Sequence, residues 1–219
     1  MNLSTTILLL IFQLILPLCF APIMAKRPEF SSIQSNKNAE TEKEIKQWQK
    51  ELNRDYKNAE KSPLTPEDRK KFKGHDFFPV SLNFRVEAAF HKTENATPFE
   101  MKTTTSRLPQ YRKYGEATFR INGQEFKLNV YQSLDLQKKA DYEDHLFLPF
   151  TDLTNGNLTY GGGRYIDLRI PKEGAKILID FNKAYNPYCA YNKKYSCPVV
   201  PHENYLATEI LAGVQFKAH

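Results

Sequence analysis

Cysteine and histidine are scarce in this chain of 219 residues, and neither occurs at the spacing of metal ligands. They are scattered at Cys19, Cys189, Cys197, His75, His91, His145, His202 and His219. No Ser-His-Asp or Gly-x-Ser-x-Gly arrangement is present. The triple glycine at 161–163 precedes a predicted strand rather than a helix, so it is not a phosphate-binding loop. The sequence therefore carries none of the common motifs for metal binding, nucleophilic catalysis or nucleotide binding. We predict no cofactor and assign no enzyme class.

The sequence has no long run of charges of one sign. Lys and Arg number 31 and Asp and Glu number 25, which gives a formal net charge of +6. The two signs are interleaved, as in residues 37–46. Because a nucleic-acid surface clusters its basic residues on one face, we expect a solvated exterior and no nucleic-acid partner.

Long hydrophobic runs are confined to the N-terminal end, where residues 3–25 carry no charged side chain. Ile7–Phe12 and Leu14–Leu18 have the length of a signal-peptide core, and Ala25 offers a cleavage site. A membrane span needs about 20 apolar residues, and Gln13 and Pro17 interrupt this one. We therefore predict a signal peptide at 1–25 and a periplasmic or extracellular protein without a transmembrane span, rather than an uncleaved anchor.

Lipidation of Cys19 is a third alternative for the N-terminal end, and it would leave the protein attached to a membrane. The residue before a lipidated cysteine is usually small, whereas Leu18 is bulky. The sequence therefore favours cleavage over lipidation.

Cys189 and Cys197 are the two cysteines that remain after cleavage. In an oxidising compartment, this spacing favours a disulfide that closes a short loop, which would stabilise the fold by about 2–3 kcal/mol. The alternative is a zinc site that adds His202. No fourth ligand is evident nearby, so we predict the disulfide and no metal.

Two helices are predicted in the first part of the mature chain. Residues 26–40 are polar and are predicted to form a flexible lead-in. From Thr41 onward, an apolar stripe at three- and four-residue steps predicts a helix with one packed face. The stripe consists of Ile45, Trp48, Leu52 and Tyr56. Thr65 and Pro66 then form an N-cap and first turn, which predicts a short helix ending at Phe72.

The rest of the chain alternates with a period of two, as strands do. Strands are expected at 80–90, 99–105, 117–121, 126–130, 146–150, 165–170, 177–181 and 210–216, with a hairpin turn at Asn122-Gly123. About eight strands without intervening helices predict a mainly β (α+β) fold. We expect an antiparallel sheet curled into a barrel or two-layer roll, with short N-terminal helices outside. Residues 41–219 would form a single globular domain.

Residues 154–206 concentrate glycines, polar aromatics and amides, and this is where we place a site. The candidate ligand-binding residues are Arg164, Tyr165, Asp180, Asn182, Tyr185, Asn186, Glu203 and Asn204. A guanidinium suits carboxylate or phosphate, so Arg164 would hold an anion while Asp180 and Glu203 orient it. Tyr165, Tyr185 and Asn186 would stack and hydrogen-bond. The pattern predicts a small polar or anionic ligand, or a glycan fragment.

Two other interpretations of this segment stay open. An envelope hydrolase could use a carboxylate pair, either Asp180 with Glu203 or Asp152 with Asp167. Alternatively, the segment is a structural loop, in which the glycines form a tight turn and Arg164 pairs with Asp167 or Asp180.

The motifs of this segment also resemble a known family. They are G-G-G-R-Y at 161–165, D-F-N-K-A-Y-N-P-Y-C-A-Y-N at 180–192, S-C-P at 196–198 and H-E-N at 202–204. They resemble the bacterial and archaeal family called domain of unknown function 1684. The resemblance extends back through F-F-P-V at 77–80 and L-F-L-P-F-T-D at 146–152, and covers roughly 48–216. It implies no activity, cofactor or catalytic residue.

Overall fold

The computed structural model describes residues 29–172 and 176–216. The predicted signal peptide and Cys19 lie outside the described residues. No helix within the described ranges is both long enough and apolar enough to cross a membrane.

Helix α1 spans Glu29–Lys57 and begins earlier than the sequence predicts. The prediction of a flexible lead-in is therefore wrong for residues 29–40. Once a helix has a nucleus, each further residue adds a hydrogen bond, so polar residues without a packing face can extend it. The predicted stripe packs as expected, since Ile45 and Tyr56 are buried and Trp48 is half-buried.

Helix α2 spans Pro66–Lys71, as the capping pattern predicts. The Thr65 hydroxyl accepts a hydrogen bond from the backbone amide of Asp68 at 3.1 Å. This bond satisfies one of the free amides of the first turn.

An eight-stranded sheet forms the body of the protein and curls into a half-barrel, which confirms the predicted mainly β class. The strands are β1 (Arg85–Lys92), β2 (Phe99–Glu100), β3 (Gln110–Ile121), β4 (Gln124–Ser133), β5 (His145–Asp152), β6 (Arg164–Arg169), β7 (Lys176–Asp180) and β8 (Tyr205–Leu206). The main path runs β6-β5-β4-β3-β1-β7. In addition, β2 pairs with β3, and β8 pairs with β5 in parallel.

The two edges of the half-barrel meet at one point. Just after β7, Tyr185 pairs with Tyr165 of β6 through two backbone hydrogen bonds of 2.9 and 3.0 Å. This pairing brings the irregular segment 185–198 back onto edge strand β6. The position of that segment relative to the sheet therefore depends on the Tyr185–Tyr165 pairing.

The predicted hairpin at Asn122-Gly123 is confirmed, with φ angles of 51° and 83° at the two turn residues. Both angles are positive, as a type I′ turn requires. Residues 80–84 are not part of a strand, because a 3₁₀ turn occupies Leu82–Phe84. The predicted strand at 99–105 is reduced to Phe99–Glu100.

The predicted strand at 210–216 is wrong. The described structure has only an isolated pairing of Val214 with Phe77 there. The carbonyls of Ile210 and Ala212 accept hydrogen bonds from the Arg164 guanidinium instead of from a neighbouring strand. Gly213, with φ of 80°, then turns the chain.

The sheet has apolar side chains on both faces. The inner core includes Leu146, Leu148, Phe150, Ile166 and Leu168. A second, aromatic cluster is formed by Met101, Tyr131, Phe147 and Tyr165. Since neighbouring side chains on a strand point to opposite faces, this second cluster lies on the outer face of β5 and β6.

His75 attaches helix α1 to the segment after α2. Its backbone amide and its ring Nδ1 both lie 2.8 Å from the Asn53 side-chain oxygen. Its ring packs edge-on against Tyr56 and Phe72, with centroid distances of 4.3 and 5.0 Å. Burial lowers the pKa of His75 to about 4, although the neighbouring Asp76 acts in the opposite direction.

Acid should therefore destabilise the fold through His75. Its pKa is about 4 in the folded chain against an ordinary value of 6.5. The stabilisation is complete above pH 6.5 and is lost as the pH falls toward 4. This group alone should lower the free energy of unfolding by about 2–3 kcal/mol between about pH 7 and pH 4.

Urea titrations of the wild type and of His75→Gln at both pH values measure this contribution. The variant should lose less stability on acidification, by the amount that His75 contributes. Equal losses in the two proteins would show that His75 is not the acid-sensitive group.

Candidate functional site

Arg164 is completely buried inside the half-barrel. Its guanidinium donates to a carboxylate oxygen of Asp152 at 2.9 Å and to the carbonyls of Ile210, also at 2.9 Å, and Ala212. Burial lowers the pKa of Arg164, while the charge of Asp152 raises it. The predicted role of Arg164 as an anion-binding group is wrong, because its charge is already neutralised and no ligand can reach it.

Asp180 and Glu203 do not orient Arg164 as predicted. Asp180 is buried and forms an ion pair with Arg85 of the neighbouring strand, with 2.6 Å between the guanidinium nitrogen and the carboxylate oxygen. Glu203 accepts a hydrogen bond from the Tyr131 hydroxyl at 3.0 Å. Each carboxylate thus has its own partner, and the predicted constellation around Arg164 does not form.

Three predicted amides are buried and bonded to the protein. Asn182 donates to the carbonyl of Ser81 at 2.9 Å and accepts from its amide at 2.9 Å. Asn204 exchanges the same pair of hydrogen bonds with Asn129. Asn186 donates to the Tyr191 hydroxyl at 2.9 Å. Asn182 and Asn204 stand in for strand partners where the backbone is irregular, whereas Asn186 joins the loop to the Tyr191 side chain.

Of the three glycines at 161–163, Gly163 is the one for which the structure shows most clearly why no other residue fits. Its φ is 89°, and a Cβ there would lie 2.7 Å from the carbonyl oxygen of Phe150 and 2.6 Å from Val200. A side chain is therefore excluded both by conformation and by space.

A cavity of about 460 Å³ lies on the outer face of β5 and β6, between the sheet, helix α1 and the segment 185–198. We call it the outer-face cavity. It is lined by Trp48, Leu52, Tyr111, Leu136, Tyr142, His145, Phe147, Tyr165, Asp167, Tyr185, Pro187, Tyr188, Tyr195, Ser196, Cys197 and Pro198. Two of the predicted site residues, Tyr165 and Tyr185, are among them, and the other six are not.

Strand alternation and pairing explain how the cavity wall forms. Phe147 of β5 lies directly across from Asp167 of β6, and both point outward. The far wall is held by Tyr165, whose hydroxyl donates to the carbonyl of Pro198. The backbone amide of Thr104 also donates to the carbonyl of Cys197 at 2.9 Å. Because Tyr185 also pairs with the backbone of Tyr165, the segment 185–198 is fixed at both ends.

Asp167 is the centre of a polar network in this aromatic wall. One carboxylate oxygen lies 2.9 Å from His145 Nε2, and the other accepts a hydrogen bond from the Tyr185 hydroxyl at 3.0 Å. The Asp167 side chain is 53% exposed, so a ligand can reach its remaining lone pairs. Burial first, and then the charge of Asp167, raise the pKa of Tyr185 well above its ordinary value. The Tyr185 hydroxyl therefore stays protonated.

Cys189 and Cys197 are adjacent and unbonded in this structure. The backbone amide of Cys189 donates to Sγ of Cys197 at 3.2 Å. Burial, together with a hydrogen bond to the Cys189 side chain, raises the pKa of Cys197 to about 12. His202 is fully exposed and lies beside Glu203. No cluster of three metal-ligating side chains exists within 29–172 and 176–216.

Most of the cavity wall lies outside the predicted site. Trp48 and Leu52 belong to the predicted helix stripe, and His145 is one of the histidines without metal-ligand spacing. One available signal was the odd-numbered face of β5 and β6, on which His145, Phe147, Tyr165 and Asp167 alternate with core residues.

The buried ion pair yields a stability prediction. Arg164→Met should lower the free energy of unfolding by about 3–5 kcal/mol, because it leaves Asp152 buried without its partner. The double variant Arg164→Met/Asp152→Asn should recover part of this loss. Urea denaturation provides the measurement.

Arg169→Met is the matched control for this ion-pair prediction. Its ion pair with Asp144 is more than half exposed at both side chains, so the change should cost less than about 1 kcal/mol. Equal costs for Arg164→Met and Arg169→Met would refute a structural role for the buried pair.

Comparison with known proteins identifies a family. The family described as protein of unknown function (DUF1684) matches residues 70–215. The solution NMR structure of an uncharacterized protein from Haloarcula marismortui is similar to this chain, with a TM-score of 0.65 and 32% sequence identity. The similarity covers 83% of this chain and 97% of that one. No curated protein matches. The chain therefore belongs to the DUF1684 family of proteins of unknown function.

Proposed function

We propose that this chain is an exported protein that binds a small polar ligand, such as a glycan fragment, in the outer-face cavity. The observation that carries the proposal is an aromatic wall that surrounds one accessible carboxylate, Asp167. The cavity volume of about 460 Å³ is typical of small-molecule sites, which combine apolar walls with a few polar groups.

The cavity does not favour an anionic ligand. Asp167 lines it, whereas none of the described lining residues is a lysine or arginine. An anion would be repelled by the carboxylate and would find no guanidinium to compensate. Sugars suit the wall better, because their C–H faces stack on aromatic rings and their hydroxyls can donate to Asp167.

The carboxylate-pair hydrolase has less support. Asp152 is completely buried against Arg164, and Asp180 is paired with Arg85. Among the described residues that line the outer-face cavity, Asp167 is the only carboxylate. A two-carboxylate mechanism needs both acids on one cleft, and this arrangement is absent from that cavity.

Binding can be measured through the fluorescence of Trp48, because it is the single tryptophan of the chain and lies in the cavity wall. A titration with envelope-derived oligosaccharides should give a saturable change in emission. Tyr188→Ala should weaken binding roughly 3- to 10-fold, as expected for one lost aromatic contact.

Tyr205→Ala serves as the control for Tyr188→Ala. Tyr205 is similarly exposed, at 49% against 41% for Tyr188, but it lies outside the cavity. Its affinity should equal that of the wild type. Equal weakening by both changes, or no saturable signal with any oligosaccharide, would count against the outer-face cavity as the site.

Export and the disulfide remain part of the proposal. Support comes from the adjacency of Cys189 and Cys197, since a bridge there would restrain the wall segment 185–198. In protein isolated from its native envelope, we expect a mature N-terminus at Lys26 and thiol alkylation of both cysteines only after reduction. Intact-mass analysis with and without reductant measures both. Two alkylated thiols before reduction would contradict the disulfide.

A further inference from the structure

We propose that the ligand of the outer-face cavity carries a positive charge, on an ammonium group held between Asp167 and the aromatic rings. This inference rests on the proposed function and specifies the chemical class of its ligand.

The first support is the charge of the cavity wall. Asp167 is the only aspartate, glutamate, lysine or arginine among its described lining residues. No lysine or arginine of the described chain forms an ion pair with it. Three basic side chains have other partners: Arg169 pairs with Asp144 at 2.5 Å, Arg107 donates to the carbonyl of Ser196 at 2.8 Å, and Lys194 Nζ lies over the Tyr195 ring at the rim.

His145 contacts Asp167 from within the wall. Nε2 of His145 faces Asp167, while Nδ1 is buried and has no hydrogen-bond partner among the described residues. The tautomer with its proton on Nε2 therefore donates to Asp167 and leaves no buried N–H donor without an acceptor.

The second support is the arrangement of the rings. Tyr165 and Tyr185 meet at 88° with centroids 6.0 Å apart, and Tyr188 and Tyr195 meet at 66° with centroids 5.2 Å apart. Two rings at nearly right angles present their faces in two directions, so a group placed between them can contact both faces. Such faces attract ammonium ions, and quaternary ammonium most clearly, because it cannot replace this attraction with hydrogen bonds. The rim already shows this contact, since Lys194 Nζ lies 5.0 Å from the Tyr195 centroid.

The ionisation of the phenols fits the same chemistry. Burial raises the pKa of Tyr165, Tyr185 and Tyr188. These rings therefore stay neutral, and Asp167 supplies the charge while the rings supply the contact surface.

The test compares matched ligands that differ in charge. Choline is paired with 3,3-dimethylbutan-1-ol, its neutral isostere, and glucosamine is paired with glucose. Affinities are measured by isothermal titration calorimetry and by Trp48 fluorescence on the full mature protein. Each cation should bind at least about 10-fold more tightly than its neutral partner, since a ring contact and the carboxylate both act on the charge.

Asp167→Asn should remove most of the preference for choline over the neutral alcohol. The circular dichroism spectrum and the urea midpoint of the variant check that it is still folded. Asp144→Asn, an exposed carboxylate outside the cavity, is the control and should leave the preference intact.

Each outcome decides the proposal. If neither cation binds better than its neutral partner, the inference is overturned. Saturable binding of neutral glycans without such a preference would preserve the proposed function while refuting the charged ligand. Absence of binding by every probe would refute both.

Discussion

The alternation of side chains along strand β6 decides which residues lie inside the half-barrel and which lie on its outer face, and the rest of the structure depends on this constraint. Arg164, Ile166 and Leu168 point into the half-barrel, while Tyr165 and Asp167 point to its outer face. The strand pairs with β5, which alternates in the same way. A shift of pairing by one residue would exchange the two sets. One register thus places a guanidinium in the core and a carboxylate in a cavity.

Two charged side chains of β6, Arg164 and Asp167, have opposite environments. Arg164 is fully buried and satisfied mainly by Asp152 and by backbone carbonyls, and it ties the chain at 210–212 to the sheet. Burying an ion pair is expensive, and removing one partner is more expensive still. Asp167 is half exposed and is hydrogen-bonded to His145 and Tyr185. The charge of Arg164 is thus neutralised by the protein itself, whereas Asp167 has no lysine or arginine partner among the described residues.

Local signals predict most of the fold, but they predict little of the site. The Asn122-Gly123 turn, the Thr65 cap and the period-two strands each depend on neighbouring residues, so the sequence shows them. The burial of Arg164 depends on carbonyls at 210 and 212, far along the chain, and nothing near Arg164 indicates them. The stripe of α1 likewise shows which face of the helix is apolar. It does not show that Trp48 lies over a cavity rather than in the core.

The central claim is that ligands bind on the outer face of β6 and not around Arg164. Two-dimensional NMR of the isotopically labelled protein, titrated with choline, tests it most directly. Chemical-shift changes should centre on Tyr185, Asp167 and the Trp48 indole, while the Arg164 Nε signal and the amide of Ala212 stay in place. Shifts centred on Arg164 and Ala212, with an unperturbed Trp48 indole, would contradict the account.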